Sequence, residues 1–336
     1  MKSLAVLFTL AMIILIKSKM KHYFTRDALK ADWKILKDTV TGFSDDKALK
    51  FSAALSYYTV FSLAPLLLLL ISLVGLFFGR EAVQGQLFGE INGMLGNQAA
   101  LQVQETIRKM ELNGESTSAV IIGSITLLIG ATTVFGEIQD SINIIWRVKA
   151  KPKRGWLKLI KDRLLSSSLI VGLGFLLVVS LIVNGAVKAL NDLLIHRFPD
   201  VTVIAFNILN VVISFIVITA LFAIIFKVLP DVKIAWRDVR SGAFFTACLF
   251  MLGRYLIGLY IETTGTASTY GAAGSIIVIL VWVYYTAAIM YLGAEFTRVY
   301  ADHVGLKITP AEYAVYVEQT EREVDKAVIP LGKKKE

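Results

Sequence analysis

From residue 51 onward the chain alternates long apolar runs with short polar connections, the runs lying approximately at 51–79, 118–145, 164–187, 203–229, 240–262 and 272–297. Each is long enough to cross a hydrocarbon core of about 30 Å, for which about 20 helical residues suffice. The runs are continuous rather than alternating, which selects helices over the strands of a barrel, and a bilayer requires every backbone group to be paired internally. The pattern predicts an all-α polytopic membrane protein with six transmembrane helices. Residues 80–117 read differently. Leu87, Ile91 and Leu95 recur on one helical face and Val103, Ile107 and Met110 on another, so two short amphipathic helices are expected on the outer surface. They either pad the ends of the spans or form a lid over a central cavity.

Charge orients these spans. Residues 17–50 carry nine lysines and arginines, 80–117 three, 146–163 eight, 188–202 two, 227–240 four, 263–271 none, and the stretch from Arg298 onward seven. The alternation of rich and poor connections places both termini in the cytoplasm. The organisation expected is an N-terminal apolar segment and basic cytoplasmic arm over 1–50, a six-helix domain over 51–297 with its outer insert at 80–117, and a cytoplasmic tail over 298–336. The tail reads as exposed and partly helical. The apolar run 4–16 resembles a signal-peptide core but no small-residue cleavage site follows. It is expected either to lie at the membrane interface or to precede a true start at Met20.

Composition agrees with the span pattern: 56% of the 336 residues are hydrophobic and 18% charged, with mean hydropathy +0.65. The net charge of +9 sits in the inner connections and not on a nucleic-acid-binding module, so no nucleic-acid partner is expected. The single cysteine, Cys248, and the scattered His22, His196 and His303 offer no metal-binding spacing. No cofactor is expected.

The polar residues at membrane depth are the candidate functional positions. In 53–70, AALSYYTVFSLAPLLLLL, helical spacing puts Ser52, Ser56 and Thr59 on one stripe and Tyr58, Ser62 and Pro65 on the next, with Ala53, Ala54, Tyr57 and Phe61 opposite. Pro65 lacks a donor for the carbonyl of Phe61 and should kink the helix. Either this face lines a polar cavity open to the cytoplasm, or the serines are packing contacts and the tyrosines an interfacial belt. Arg254 lies about fourteen residues past Arg240, hence about 21 Å into its span. A guanidinium there requires a partner, a wet cavity, or a path to the headgroups. Glu137, Asn143 and Glu295 are further buried polar candidates in cytoplasmic halves. In the link 262–275, Tyr270, Gly271 and Gly274 suit either close helix contact or a broken helix entry that touches a substrate. In the loop 147–163, Lys151, Lys153, Arg154 and Lys158 would set topology or contact anionic lipid headgroups.

Four stretches carry a resemblance: AALSYYTVFSLAP (53–65), IQDSINIIWRVK (138–149), LPDVKIAWRDVRSGA (229–243) and YGAAGSIIVILVWVYYTAAIMYLGAEF (270–296). Together they resemble the YihY/virulence factor BrkB family of bacterial inner-membrane proteins, formerly catalogued as ribonuclease BN. The resemblance implies six transmembrane helices and a multi-pass inner-membrane location, with envelope export or lipid handling as the suspected role, and it transfers no catalytic residue.

Three function classes follow. A transporter or exporter of an amphipathic or anionic solute, lipid included, accounts for the polar first span, Arg254 and the basic inner loops; no phosphate-binding Gly-rich lysine motif is present. A non-transporting scaffold for envelope assembly is the alternative, and either is compatible with a homo-oligomer. An enzyme is not expected, because Asp231 and Asp238 sit in a short basic turn and read as caps of the fifth span, not as a catalytic pair.

Overall fold

The structure is a computed structural model and describes residues 26–112, 130, 133–151, 199–264, 272–304 and 308–318. Helix α1 spans Arg26–Asp45 and α2 Ala48–Phe78, whose 31 residues make it about 46 Å long. The insert 80–117 forms the two expected helices, α3 (Arg80–Leu95) and α4 (Asn97–Leu112). Gly79 and Gly96 separate them from α2 and from each other, with φ of 80° and 85° that only glycine adopts freely. Helix α5 covers 133–145, α6 Pro199–Val228, α7 Trp236–Thr264 and α8 Ala272–Val304. Two of these contain stretches long and apolar enough to cross a membrane, Ile208–Val228 and Gly274–Val304. The expected span 164–187 lies outside the described residues, as do 1–25 and most of 118–132.

Helix α8 is the axis of the bundle, packed against α1, α2 and α7, while α6 packs on α7. Its contact with α7 is a reciprocal seam. A side chain at Gly242 would run into Thr297, and one at Gly293 into Thr246. Each threonine in turn donates to the carbonyl of the glycine four residues before it, Thr246 to Gly242 at 2.6 Å and Thr297 to Gly293 at 2.7 Å. Small residues four apart on both helices thus bring the backbones close, the usual solution where lipid gives no hydrophobic drive for helix association.

The described chain also contains strands. β1 (Val148–Ala150) pairs antiparallel with β4 (Ala314–Tyr316), and β2 (Val232–Lys233) with β3 (Thr309–Pro310). The purely helical expectation is therefore corrected at one end: the segment 308–318 stitches the connection after α5 to the connection before α7. It does so because those connections are extended and carry unpaired backbone groups that need partners. Trp146, Ile142, Ile145, Phe226, Leu229 and Tyr291 fill the core where these parts meet, each essentially inaccessible. The Trp146 indole donates to the Ala294 carbonyl at 2.9 Å, fixing the end of α5 to α8.

Candidate functional site

The polar face of α2 divides. Ser52, Ser56 and Ser62 are buried, and Ser52 and Ser56 satisfy their hydroxyls on their own helix, donating at 2.9 Å to the carbonyls of Ala48 and Ala53. Ser62 abuts Gly130, where an added Cβ would come within 3.4 Å of the Ser62 hydroxyl. Thr59 is half-buried. Tyr58 instead faces outward with Tyr57 and Phe61, its ring 5.7 Å from that of Tyr57. The helix runs without interruption through Pro65, and the surroundings of that side chain lie outside the described set. Gly274 is buried at the start of α8, while Tyr270 and Gly271 are not among the described residues. Arg254 is half-buried on α7 and is not brought to Glu137, Asn143 or Glu295. Of the basic loop, Lys151 is exposed and its backbone N–H donates to the Tyr313 carbonyl at 2.7 Å; Lys153, Arg154 and Lys158 lie outside the described residues.

What the fold does bring together is a set of charges at one end of the bundle. Two turns have the same build. After α1 the chain turns at Asp46–Lys47, and after α5 at Trp146–Arg147, with Lys47 and Arg147 both at φ 57°. This left-handed conformation costs a residue with a Cβ about 1–2 kcal/mol, so other contacts must hold it. An ion pair joins the two turns, Arg147 Nη1 to Asp46 Oδ1 at 2.7 Å, with the Asp46 side chain 2% exposed. Burial pushes the Asp46 carboxyl above its ordinary range, with Arg147 and Arg298 pulling the other way. Beside this pair Glu295, fully buried on α8, is bonded to Arg298 one turn later. Arg298 also reaches Asp302 at 3.7 Å. Gly42 of α1 lies so close to the Glu295 carboxyl that a side chain there would collide with it. Among the described residues, Asp46 Oδ2, Glu295 Oε2 and Arg298 Nε have no hydrogen-bond partner.

A second node is built on Asp231, 1% exposed. Gln139 donates to its Oδ1 at 3.1 Å, Asn143 to its Oδ2 at 2.9 Å, and the Tyr313 hydroxyl to Oδ1 at 3.0 Å. Its own N–H donates to Asn143 Oδ1 at 2.8 Å, and its carbonyl accepts from Ala311. Asp231 therefore ties α5 and the tail segment to the turn before α7. Only Asp238 lies in the first turn of α7, so the expectation that both aspartates cap that helix is corrected for Asp231. Asn143 belongs to this node, and Glu137, half-buried six residues earlier, does not.

Sequence reading found Glu295 and Asn143 but missed Asp46, Arg147, Arg298, Asp231 and Tyr313. One signal was available: Arg298 follows Glu295 at the i+3 spacing that pairs charges on a helix. The others meet across large sequence separations, 88 residues for Asn143 and Asp231, with no local pattern to announce them. Among the described residues, no three histidine, cysteine or carboxylate side chains gather as a metal site.

Long apolar helices packed through small residues, with charges buried at one end of the bundle, define the class: a helical integral membrane protein. The family described as Virulence factor BrkB matches residues 39–314, and the chain belongs to that family. Its relatives include a UPF0761 membrane protein of Pseudomonas paraeruginosa, 29% identical over 259 residues, which cover 75% of this chain and 59% of the relative. Another, from Verminephrobacter eiseniae, is 27% identical over 278 residues, covering 81% and 63%. A third, from Alkalilimnicola ehrlichii, is 24% identical over 269 residues, covering 78% and 57%. The chain thus spans roughly three-fifths of the length of these relatives. No solved structure matches. Family and apolar helices together place the protein in the bacterial inner membrane.

Proposed function

We propose that the protein moves an amphipathic or anionic solute, of which a lipid is one fitting class, across the inner membrane through six spans with both termini in the cytoplasm. One observation carries this reading. Asp46 and Glu295 are buried and Arg298 is largely so at the end of a membrane bundle, yet among the described residues each leaves a polar atom without a hydrogen-bond partner. An unsatisfied buried polar group costs about 1–3 kcal/mol, and ionisable groups buried in membrane proteins tend to mark substrate paths. A structure that keeps such atoms is suited to a second arrangement in which water or substrate satisfies them, as alternating access requires. No catalytic step is part of the proposal: Asp231 commits both carboxylate oxygens to side-chain donors, which supports a structural role for it. The test is reconstitution in liposomes, following the movement of a fluorescent phospholipid and of a small organic anion. Wild type should exceed empty vesicles for at least one of them, and Glu295→Gln should abolish the difference. Wild-type vesicles indistinguishable from empty ones for both would overturn the proposal.

A scaffold for envelope assembly is the second reading. It is favoured by the way Ser52, Ser56, Thr246 and Thr297 turn their hydroxyls onto their own helices, as in a dry packed bundle. Alanine at Ser56 and Ser62 separates the two: a scaffold tolerates both substitutions in a growth or envelope-integrity assay, and a conduit loses rate.

A further inference from the structure

Helix α1 uses only part of its surface to hold the bundle. Ile35, Thr39 and Gly42 recur at i, i+4, i+7 and are buried, as is Asp46 four residues on. This side is pinned: Gly42 lies against the Glu295 carboxyl, Asp38 meets His303 at 3.1 Å and Asp46 pairs with Arg147. The helix therefore cannot roll, and its other faces point where the fold sets them. About a third of a turn from the docked face, Trp33, Leu36 and Val40 recur at i, i+3, i+7 and stay 71%, 39% and 61% exposed. Lys30, Lys34 and Lys37 run along the free edge of this strip, all exposed. Among the described residues none of these lysines makes an ion pair or a hydrogen bond. Asp38 and Asp45 lie beyond the lysines, on the side turned away from the strip, and Asp32 borders it on the docked side.

An apolar strip with a tryptophan, edged by lysines and backed by acids, is the surface of a helix that lies in a membrane interface. Tryptophan settles at the headgroup level, aliphatic side chains reach the acyl boundary beneath it, and lysines extend to anionic phosphates. The position agrees. Helix α1 ends at Asp45 and α2 starts at Ala48, three residues before the expected first span, so α1 adjoins the edge of the bilayer. Its connection is rich in lysine, which makes that edge the inner leaflet in the topology proposed above. A second copy of the chain fits the strip less well: three side chains fall short of the roughly 800 Å² that each partner of a stable pair buries, and the lysines would find no opposite charge in a copy of themselves.

We propose that α1 is an interfacial helix that docks on anionic lipid of the inner leaflet, with Trp33, Leu36 and Val40 in the boundary between headgroups and acyl chains and Lys30, Lys34 and Lys37 on the lipid phosphates. The inference goes beyond transport and takes from the reading above only the side of the membrane. The test uses the full-length protein with Cys248→Ser, carrying a nitroxide either at Val40→Cys on the strip or at Asp45→Cys on the opposite side. The protein is placed in nanodiscs of phosphatidylcholine, with or without phosphatidylglycerol. Collisions of the label with oxygen and with a water-soluble nickel chelate are then compared. With phosphatidylglycerol present, the label at Val40 should meet oxygen and be shielded from nickel, and the label at Asp45 should show the reverse. Each lysine replaced by glutamine should lower the ratio of shielded to accessible label at Val40 by about fivefold, the effect of one basic side chain at an anionic surface. Salt at about 1 M, which cuts the screening length to about 3 Å, should act in the same direction. Nickel access at Val40 equal to that at Asp45 would overturn the proposal. So would shielding that is the same without phosphatidylglycerol, or that persists with all three lysines replaced. Spin–spin broadening between labels of two chains would give the strip to a second copy and overturn it as well. Should a lysine variant fail to fold, the comparison of the two lipid mixtures with the lysines intact decides. No solute has to move in this measurement, so its failure leaves the transport proposal standing, and failure of transport leaves this docking in place.

Discussion

At the scale of single residues, the buried charges give the most direct expectations. Among the described residues the fully buried Glu295 is bonded to Arg298 alone. Removing only the cation leaves a carboxylate without compensation, a change that costs about 3–5 kcal/mol where a buried pair is broken. Arg298→Met should therefore lower the melting temperature in detergent by several degrees. Adding Glu295→Gln should recover much of the loss, since replacing both members of a buried pair is often close to neutral. If the double variant is as unstable as the single one, the pair does not act as a unit. The same logic separates Tyr313 from its backbone. Tyr313→Phe removes one donor from Asp231 but leaves Gln139 and Asn143 in place. It should cost about 1 kcal/mol, the ordinary net value of one such bond, read as a shift in denaturation midpoint with an unchanged slope.

At the scale of elements, the long apolar helices were legible in the sequence, whereas α1, which lies in what read only as a basic arm, and the strands were not, for a physical reason. Apolar runs such as 203–229 and 272–297 extend over many turns, so their signal accumulates; α6 covers all of the first but Leu229, and α8 contains the second. The pair α3 and α4 followed from i, i+4 periodicity, with Leu87, Val103 and Ile107 buried as expected. The strands β2 and β3 are two residues each, too short for any alternation to show, and their pairing is a tertiary event between Val232 and Pro310. The α7–α8 seam was likewise hidden. Gly242-x-x-x-Thr246 and Gly293-x-x-x-Thr297 become a motif only once the two helices are known to face each other. The seam predicts an asymmetric pair of effects. Gly293→Ala places a methyl against Thr246 and should destabilise by about 1–3 kcal/mol, as overpacking does. Combining it with Thr246→Gly vacates that space and should restore part of the melting temperature in spite of the helix-propensity cost of glycine. A double variant no better than Gly293→Ala alone would mean that the helices do not meet at this point.

At the scale of the whole molecule, the way the bundle sits in the membrane decides which compartment each of its ends faces. Helix α8 has 33 residues and is about 50 Å long, so a core of about 30 Å leaves a part of it outside the hydrocarbon. The sequence suggests which part. The first residues of α8 are small and apolar, whereas Arg298, Asp302 and His303 crowd its last turns. The structure docks α1 on that charged end, where Asp38 meets His303 at 3.1 Å and Gly42 meets Glu295. The turn of β1, the turn before α7 and the tail segment gather there too. Every one of these belongs to a lysine- and arginine-rich connection, the charge signature of a cytoplasmic face. By contrast α3 and α4 sit on the connection 80–117, which carries only three lysines and arginines. Topology can therefore be tested with few positions. The chain has one cysteine, Cys248, so Cys248→Ser gives a cysteine-free background into which single cysteines are placed at Gln98, Lys149 and Glu312, all exposed. A membrane-impermeant thiol reagent applied to spheroplasts should label Gln98→Cys at once, and Lys149→Cys and Glu312→Cys only after the membrane is opened. The inverse pattern would turn the molecule over. Labelling of Lys149→Cys and Glu312→Cys from opposite sides would break the strand pairing that holds the tail to the inner end of α5, because residues on opposite sides of a bilayer cannot share a hydrogen-bonded ribbon.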